Sequence, residues 1–212
     1  MRNLYLTIVL SFATAAVAAP PQRVEIGYEI ARNGSVMAEV IQRLEHDGRS
    51  YRLSETWKGK GVLALRGEAV RSSQGAVVAD GLRPQKFEDR RPGRDTQQAA
   101  FDPAAKTATL LQQDQLSFIW TFAFAPPRGV VTASVADGKR VTSYTYQAAG
   151  RERVKTPAGE FDALKLVKRK DNPQDKATEI WLAVDRLYIP VRVLIIDKDG
   201  TRLDQVAVKI SP

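Results

Sequence analysis

The tight-turn pairs of this chain, and their spacing, limit its fold more than any other feature. Asn33-Gly34, Asp47-Gly48, Asp137-Gly138 and Asp199-Gly200 each offer the positive φ that a two-residue hairpin turn needs. Between them the sequence alternates. Val24, Ile26, Tyr28 and Ile30 share one face, opposite Arg23, Glu25 and Glu29. Val36, Ala38, Val40 and Leu44 return, and Tyr51, Leu53 and Trp57 alternate with Arg52, Ser54, Thr56 and Lys58. A period of two marks strands with one buried face. Gly59-Lys60-Gly61 turns into a strand expected over 62–71, and Ser73-Gln74-Gly75 leads to one over 76–79. The run from Asp80 to Pro84 breaks the pattern. A short strand is expected over 85–91, an exposed loop over 92–98, and a hairpin joining 100–102 to 107–111. Strands resume over 130–135, 141–147, 151–155, 161–168, 178–184 and 190–196, and Val206, Val208 and Ile210 alternate to the end. About ten to twelve short strands with turns at this spacing predict a mainly β protein, a large antiparallel sheet curved into an open barrel or folded as a sandwich. Nothing between the strands has the length of a helical crossover, which excludes a parallel α/β sheet.

One central stretch fits two periods. From Gln113 to Phe124, closed by Pro126-Pro127, lies the most apolar segment after the N-terminus. At period two, Leu116, Phe118, Trp120, Phe122 and Phe124 share a face, as in an aromatic-rich strand. At period 3.6, Leu116, Ile119, Trp120 and Ala123 form a stripe with Phe124 beside it. Asp114 is then placed to cap the first turn, and Pro126 to end the helix by pushing Ala125 out of the αR region.

The N-terminus reads as a secretory leader. Arg2 is the positive start, Leu4 to Val17 the apolar run, and Ala16-Val17-Ala18 the small-residue cleavage site. The expected organisation is a leader over 1–18, cleaved, and one β-rich domain over 19–212. No later segment is long and apolar enough to span a membrane as a helix. The chain has no cysteine, so it has no disulfide, no thiol chemistry and no cysteine to carry a lipid anchor. A periplasmic product, not lipid-anchored, is the expectation. The formal net charge is +8; losing Arg2 leaves 31 basic against 24 acidic side chains, or +7. Export argues against nucleic acid as the partner of that charge.

The residues also resemble a family. Ser73-Gln74-Gly75, Gly81-Leu82-Arg83-Pro84, Gln113-Asp114 with Leu116-Ser117, Thr156-Pro157-Ala158-Gly159-Glu160-Phe161, and Glu179-Ile180-Trp181-Leu182-Ala183 followed by Ile189-Pro190-Val191-Arg192 are similar, in this order, to the bacterial envelope family catalogued as domain of unknown function 3108. The resemblance implies an exported β-rich protein without an assigned activity. It also implies a likeness to periplasmic lipoprotein carriers, in which a curved sheet wraps an apolar cavity lidded by helix. On that likeness the central stretch is expected to be a short buried helix over about 115–125, set in the concave face of the sheet.

Most enzyme chemistries find no residues here. His46 is the sole histidine, so a Ser-His-Asp set would have to commit it, and no Gly-x-Ser-x-Gly elbow is present. A phosphate-cradling glycine loop is absent, and zinc would find one histidine and no cysteine. Paired carboxylates remain, with Glu88, Asp89, Asp114 and Glu179 as the set for glycoside-type hydrolysis. No enzyme activity, cofactor or metal is expected. The leading candidate site is a ligand-binding face for a lipid or other apolar envelope molecule, formed by Leu116, Ile119, Trp120, Ala123 and Phe124 with Trp57 and Trp181. The alternative is an envelope assembly protein that docks a protein partner or an anionic surface through Arg83, Arg90, Arg91 and Arg94.

Overall fold

A computed structural model describes residues 20–105 and 107–212, and the expected leader over 1–18 lies outside them. Among the described residues, thirteen strands form one sheet. They are β1 (Arg23–Arg32), β2 (Ser35–His46), β3 (Ser50–Gly59), β4 (Ala69–Val78), β5 (Gly81–Arg90), β6 (Gln97–Ala100), β7 (Gln113–Asp114), β8 (Val130–Ala136), β9 (Val141–Thr156), β10 (Gly159–Lys168), β11 (Ala177–Ala183), β12 (Ile189–Ile196) and β13 (Arg202–Ser211). Across the sheet they run β6-β5-β4-β3-β2-β1-β13-β12-β11-β10-β9-β8-β7. Two meanders thus meet where the first strand pairs with the last, Tyr28 opposite Ala207. Every pairing is antiparallel except that of the two-residue β7 with β8. The sheet curls into a nearly closed barrel.

The turn chemistry explains most of these boundaries. Asn33 and Gly34 take φ of 49° and 86°, and Gly48, Gly138 and Gly200 are also left-handed, so the hairpins fall at the expected pairs. Four expectations change. The segment after Gly59 is a 3-10 turn over Gly61–Arg66, and β4 starts only at Ala69, after Gly67 at φ 78°. The Gly81–Pro84 run joins β5 without a break, because a bulge between Gln74 and Gly75 lets Pro84 sit opposite Gly75. A β-carbon on Gly75 would lie 2.0 Å from the Arg83 carbonyl, so only glycine fits. The hairpin expected over 100–111 is instead the short β6 against β5 and a 3-10 turn over Thr109–Leu111. The two strands expected over 141–155 are one long strand, β9.

The central stretch is helical but shorter than expected. The α-helix α1 covers Ser117–Trp120 and runs into a 3-10 turn over Thr121–Ala123. Gln113 and Asp114 are tied to β8 as β7, so the helix cannot begin earlier. Its side chains divide between two apolar clusters. Leu116, Trp120 and Ala123 pack with Val24, Ile26, Tyr28, Val40 and Leu53, whereas Phe118 and Phe122 pack with Val131, Tyr146, Leu166 and Ile180. That split is why both periods fitted: the segment is apolar nearly all round because it is buried nearly all round.

The barrel closes on side chains. Leu82 of β5 turns its N–H and C=O away from β4. The N–H donates to Thr121 Oγ1 at 2.7 Å, and the C=O accepts from Gln113 Nε2 at 2.8 Å. An exposed strand edge is thereby satisfied from within the fold. The approach is close: a β-carbon on Gly81 would lie 2.0 Å from Thr121 Oγ1, and Gly81 has φ 124°. Gly81→Ala should therefore cost more than about 2 kcal/mol in urea denaturation, whereas Gly34→Ala, strained at φ 86° but with open space around it, should cost about 1 kcal/mol.

Candidate functional site

Three of the five sequence motifs converge around Asp114. Asp114 Oδ1 accepts the backbone N–H of Leu116 at 2.8 Å and of Ser117 at 2.9 Å, and Ser117 Oγ accepts the Asp114 N–H at 3.0 Å. This reciprocal pair starts the helix, as the position of Asp114 suggested. Asp114 Oδ2 accepts from Ser73 Oγ at 2.5 Å. With its one proton so used, Ser73 accepts from the Tyr51 hydroxyl at 2.9 Å. Ser73-Gln74-Gly75, Gly81–Pro84 and Gln113–Ser117 thus meet at one buried seam between β4, β5 and the helix.

Asp114 is fully buried, and burial outweighs its hydrogen bonds, pushing its carboxyl up to about 6. The same burial, with the nearby Asp114 charge second, keeps the Tyr51 phenol protonated well beyond the physiological range. The folded state therefore binds a proton on Asp114 more tightly than the unfolded chain, whose ordinary value is 3.8. Stability falls as pH rises between those values.

A second polar line crosses the concave face. Gln42, Glu55, Arg71 and Asp89 stand directly opposite one another on β2, β3, β4 and β5. Gln42 Nε2 donates to Glu55 Oε2 at 2.6 Å, and Arg71 donates to both Glu55 and Asp89 at 3.1 Å. Arg91 donates to Asp89 at 2.7 Å, and Trp57 Nε1 to Glu55 at 2.6 Å. Trp120 covers the line, its indole N–H donating to Gln42 Oε1 at 2.9 Å. Two carboxylates and two guanidiniums leave the line neutral. Its signal was present in the sequence: Glu55 occupies the inward place between Leu53 and Trp57, and Gln42 the one between Val40 and Leu44.

The expected ligand-binding residues therefore stand as follows. Leu116, Trp120 and Ala123 are packed core, Ile119 and Phe124 are half-buried, and Phe124 meets His46 edge-on at 5.0 Å. Trp57 is half-buried over Arg71. Trp181 lies between Lys165 and Arg192, each within 5 Å of its ring, and donates to Glu152 at 2.5 Å. None of the seven lines the apolar cavity described below. The four arginines do not make a free patch. Arg91 is held by Asp89 and Arg90 is 3.9 Å from Glu88. Arg83 turns to the carbonyls of Ala105 and Thr107, so it and Arg94 are the two of the four without a carboxylate partner among the described residues.

The apolar room lies elsewhere, where β1 begins and β13 ends. A half-open pocket of about 400 Å³ is lined there by Val24, Ala158, Phe161, Leu187, Ile189 and Ile210. Its wall includes a strained turn, with Leu187 at φ 56° and Tyr188 at φ 58°. The larger cavity, about 760 Å³ beside His46 and Tyr51, is wide open and lined by charged and polar residues such as Arg23, Glu45, Asp47 and Arg52.

Fold and seam together define a barrel-like β protein closed by a buried helical plug. The chain belongs to the family described as protein of unknown function (DUF3108), which it matches over residues 25–206. No curated protein matches its sequence. Among solved structures it is similar to a β-barrel-like protein of domain of unknown function DUF1849 from Brucella abortus, with 9% identity, TM-score 0.50, and 91% of this chain and 98% of that one covered. A Bacteroides fragilis protein with a YmcC-like fold gives 11% identity and TM-score 0.42, covering 92% of this chain and 98% of that one. MucB, solved in complex with MucA(peri), gives 18% identity and TM-score 0.38, covering 89% of this chain but 49% of that one. At 9% identity, the likeness to the Brucella protein is one of fold.

The Asp114 shift yields a signed expectation. Between pH 7 and pH 5 the protein should gain about 1 kcal/mol of stability as the carboxyl takes up its proton. Aspartates with lowered values, such as Asp47 at about 2, lose their contribution only at lower pH, as it falls below the ordinary 3.8. Urea midpoints for the wild type and Asp114→Asn across this range check the point, and the slope should vanish in the variant.

Proposed function

We propose that this is a non-enzymatic binding protein of the bacterial envelope that holds an apolar or single-chain amphiphilic molecule in the Val24–Phe161–Ile210 pocket. The observation that carries the reading is the pocket itself. Its volume of about 400 Å³ falls within the range of small-molecule sites, roughly 300–1,000 Å³. Its walls are mostly apolar, and Asp185 and Arg186 at its rim suit a polar head group. A left-handed leucine in the wall supports a site role, because such strain persists where the surroundings hold it and gathers at binding sites.

Export to the periplasm is part of the proposal. It rests on the leader pattern over 1–18, and the lack of cysteine bears on the proposed absence of a lipid anchor. The absence of catalysis is likewise proposed from the state of the carboxylates. Asp114 anchors a helix, Asp89 is shared by two arginines, and Glu88 and Glu179 each lie 2.8 Å from a lysine. A hydrolase would need two carboxyls facing a common groove.

The test is to purify the protein without detergent, extract it with organic solvent and weigh the extract by mass spectrometry. A single-chain fluorescent fatty-acid probe then titrates the emptied protein. Wild type should yield a stoichiometric amphiphile and bind the probe. Ala158→Phe, which fills the pocket, and Ile210→Asn, which makes one wall polar, should each weaken probe binding about tenfold, or about 1.4 kcal/mol, while circular dichroism stays unchanged. A clean extract together with no probe binding would overturn the proposal.

A further inference from the structure

The two most exposed large apolar side chains among the described residues sit at the other end of β1 and β2 from this pocket. Val62 is 82% exposed and Leu65 is 89% exposed, both on the 3-10 turn between β3 and β4. The turn is fixed. Gly61 and Gly67 bracket it at φ 58° and 78°, and Leu63 folds back so tightly that a β-carbon on Gly59 would lie 2.6 Å from its carbonyl. Val36 joins the patch at 43% exposure, because the Lys60 N–H donates to the neighbouring Met37 carbonyl at 2.9 Å. The result is a convex apolar wedge.

Its charged surroundings are unequal. Glu29 and Glu39 are both held by Lys60, and Glu68 by Lys58. Arg66 on the turn, Arg32 on the hairpin of Val36, and Arg202 beside Asn33 are exposed and make no ion pair among the described residues. Arg94 belongs to the next turn, whose Pro92 would lie 3.1 Å from a β-carbon on Gly67, and it too is exposed without an ion pair. Asp95 is the acid beside it that lacks a partner. Lys60 balances only one of Glu29 and Glu39, so that surplus carboxylate and Asp95 stand against four arginines, and the charge around the wedge is positive by two.

From this geometry we infer that the Val62–Leu65 turn seats the protein on an anionic lipid bilayer. A groove would suit a peptide, but a wedge suits the boundary between head groups and acyl chains. There the two aliphatic side chains enter the acyl region while the guanidiniums meet lipid phosphates, each contact strengthened by the surface potential. Seated this way, the protein turns the pocket end away from the membrane. The inference stands apart from the ligand reading, since no residue is shared between turn and pocket.

The test is cosedimentation of the full mature protein with vesicles of phosphatidylcholine alone and of phosphatidylcholine mixed with phosphatidylglycerol. Wild type should partition onto the anionic vesicles, and Val62→Ser with Leu65→Ser should reduce partition about tenfold or more. Both side chains are exposed, so the double variant keeps its fold, which an unchanged melting curve confirms. Arg66→Ala should weaken binding to anionic vesicles and leave the neutral ones unaffected. Wild type remaining in the supernatant would overturn the inference, as would a double variant that sediments like wild type. Equal partition onto neutral and anionic vesicles would overturn the anionic assignment.

Discussion

A sheet that almost closes must deal with the backbone groups at the place where it does not. Here that place is Leu82, whose N–H and C=O point away from their own hairpin partner. Leaving both unmatched in the interior would cost a few kcal/mol, so the fold brings side chains to them. Gln113 and Thr121 must stand one on either side of the short helix to reach the same residue. That requirement fixes the helix against β5 and leaves Gly81 no room for a side chain. It also puts Asp114, the residue after Gln113, deep enough to lose its water, which shifts its carboxyl upward.

With the helix so placed, Leu116, Trp120 and Ala123 pack against the concave face. Trp120 finds a partner there for its indole N–H in Gln42. The charges beneath are tolerable because they form a line without a gap, carboxylate to guanidinium to carboxylate, straight across four strands. Burying any one of them alone would be prohibitive. The line stiffens that half of the barrel, and the apolar room is displaced to where the strands β1, β12 and β13 run out.

The hairpins were legible because Asn-Gly and Asp-Gly state their own backbone angles. The antiparallel sheet followed from them. The 3-10 turn at Gly61–Arg66 was not legible as such, since Val62, Leu63 and Leu65 read equally well as a strand; only their exposure reveals a surface loop. Pro84 breaks the alternation, and two features accommodate it: Gln85 is the extra residue of a bulge on β5, and glycine at position 75 of the facing strand leaves the room. Trp120 and Leu116 were recognised as facing inward. Whether they line a cavity or fill one depends on what stands opposite, and that was Val24, Ile26 and Tyr28, about ninety residues away in sequence.

The sequence by itself therefore determined the class of fold, its strand order within each meander, and the burial of the central segment, because turn geometry and period are local properties. Tertiary structure alone decided that the first strand joins the last, that Gln113 and Thr121 close the seam at Leu82, and that Glu55 and Asp89 share Arg71. These are contacts between residues far apart in sequence, and an inward polar residue such as Glu55 does not name its partner. They come into being when strand pairing sets the register and the curl of the sheet brings the helix against β5.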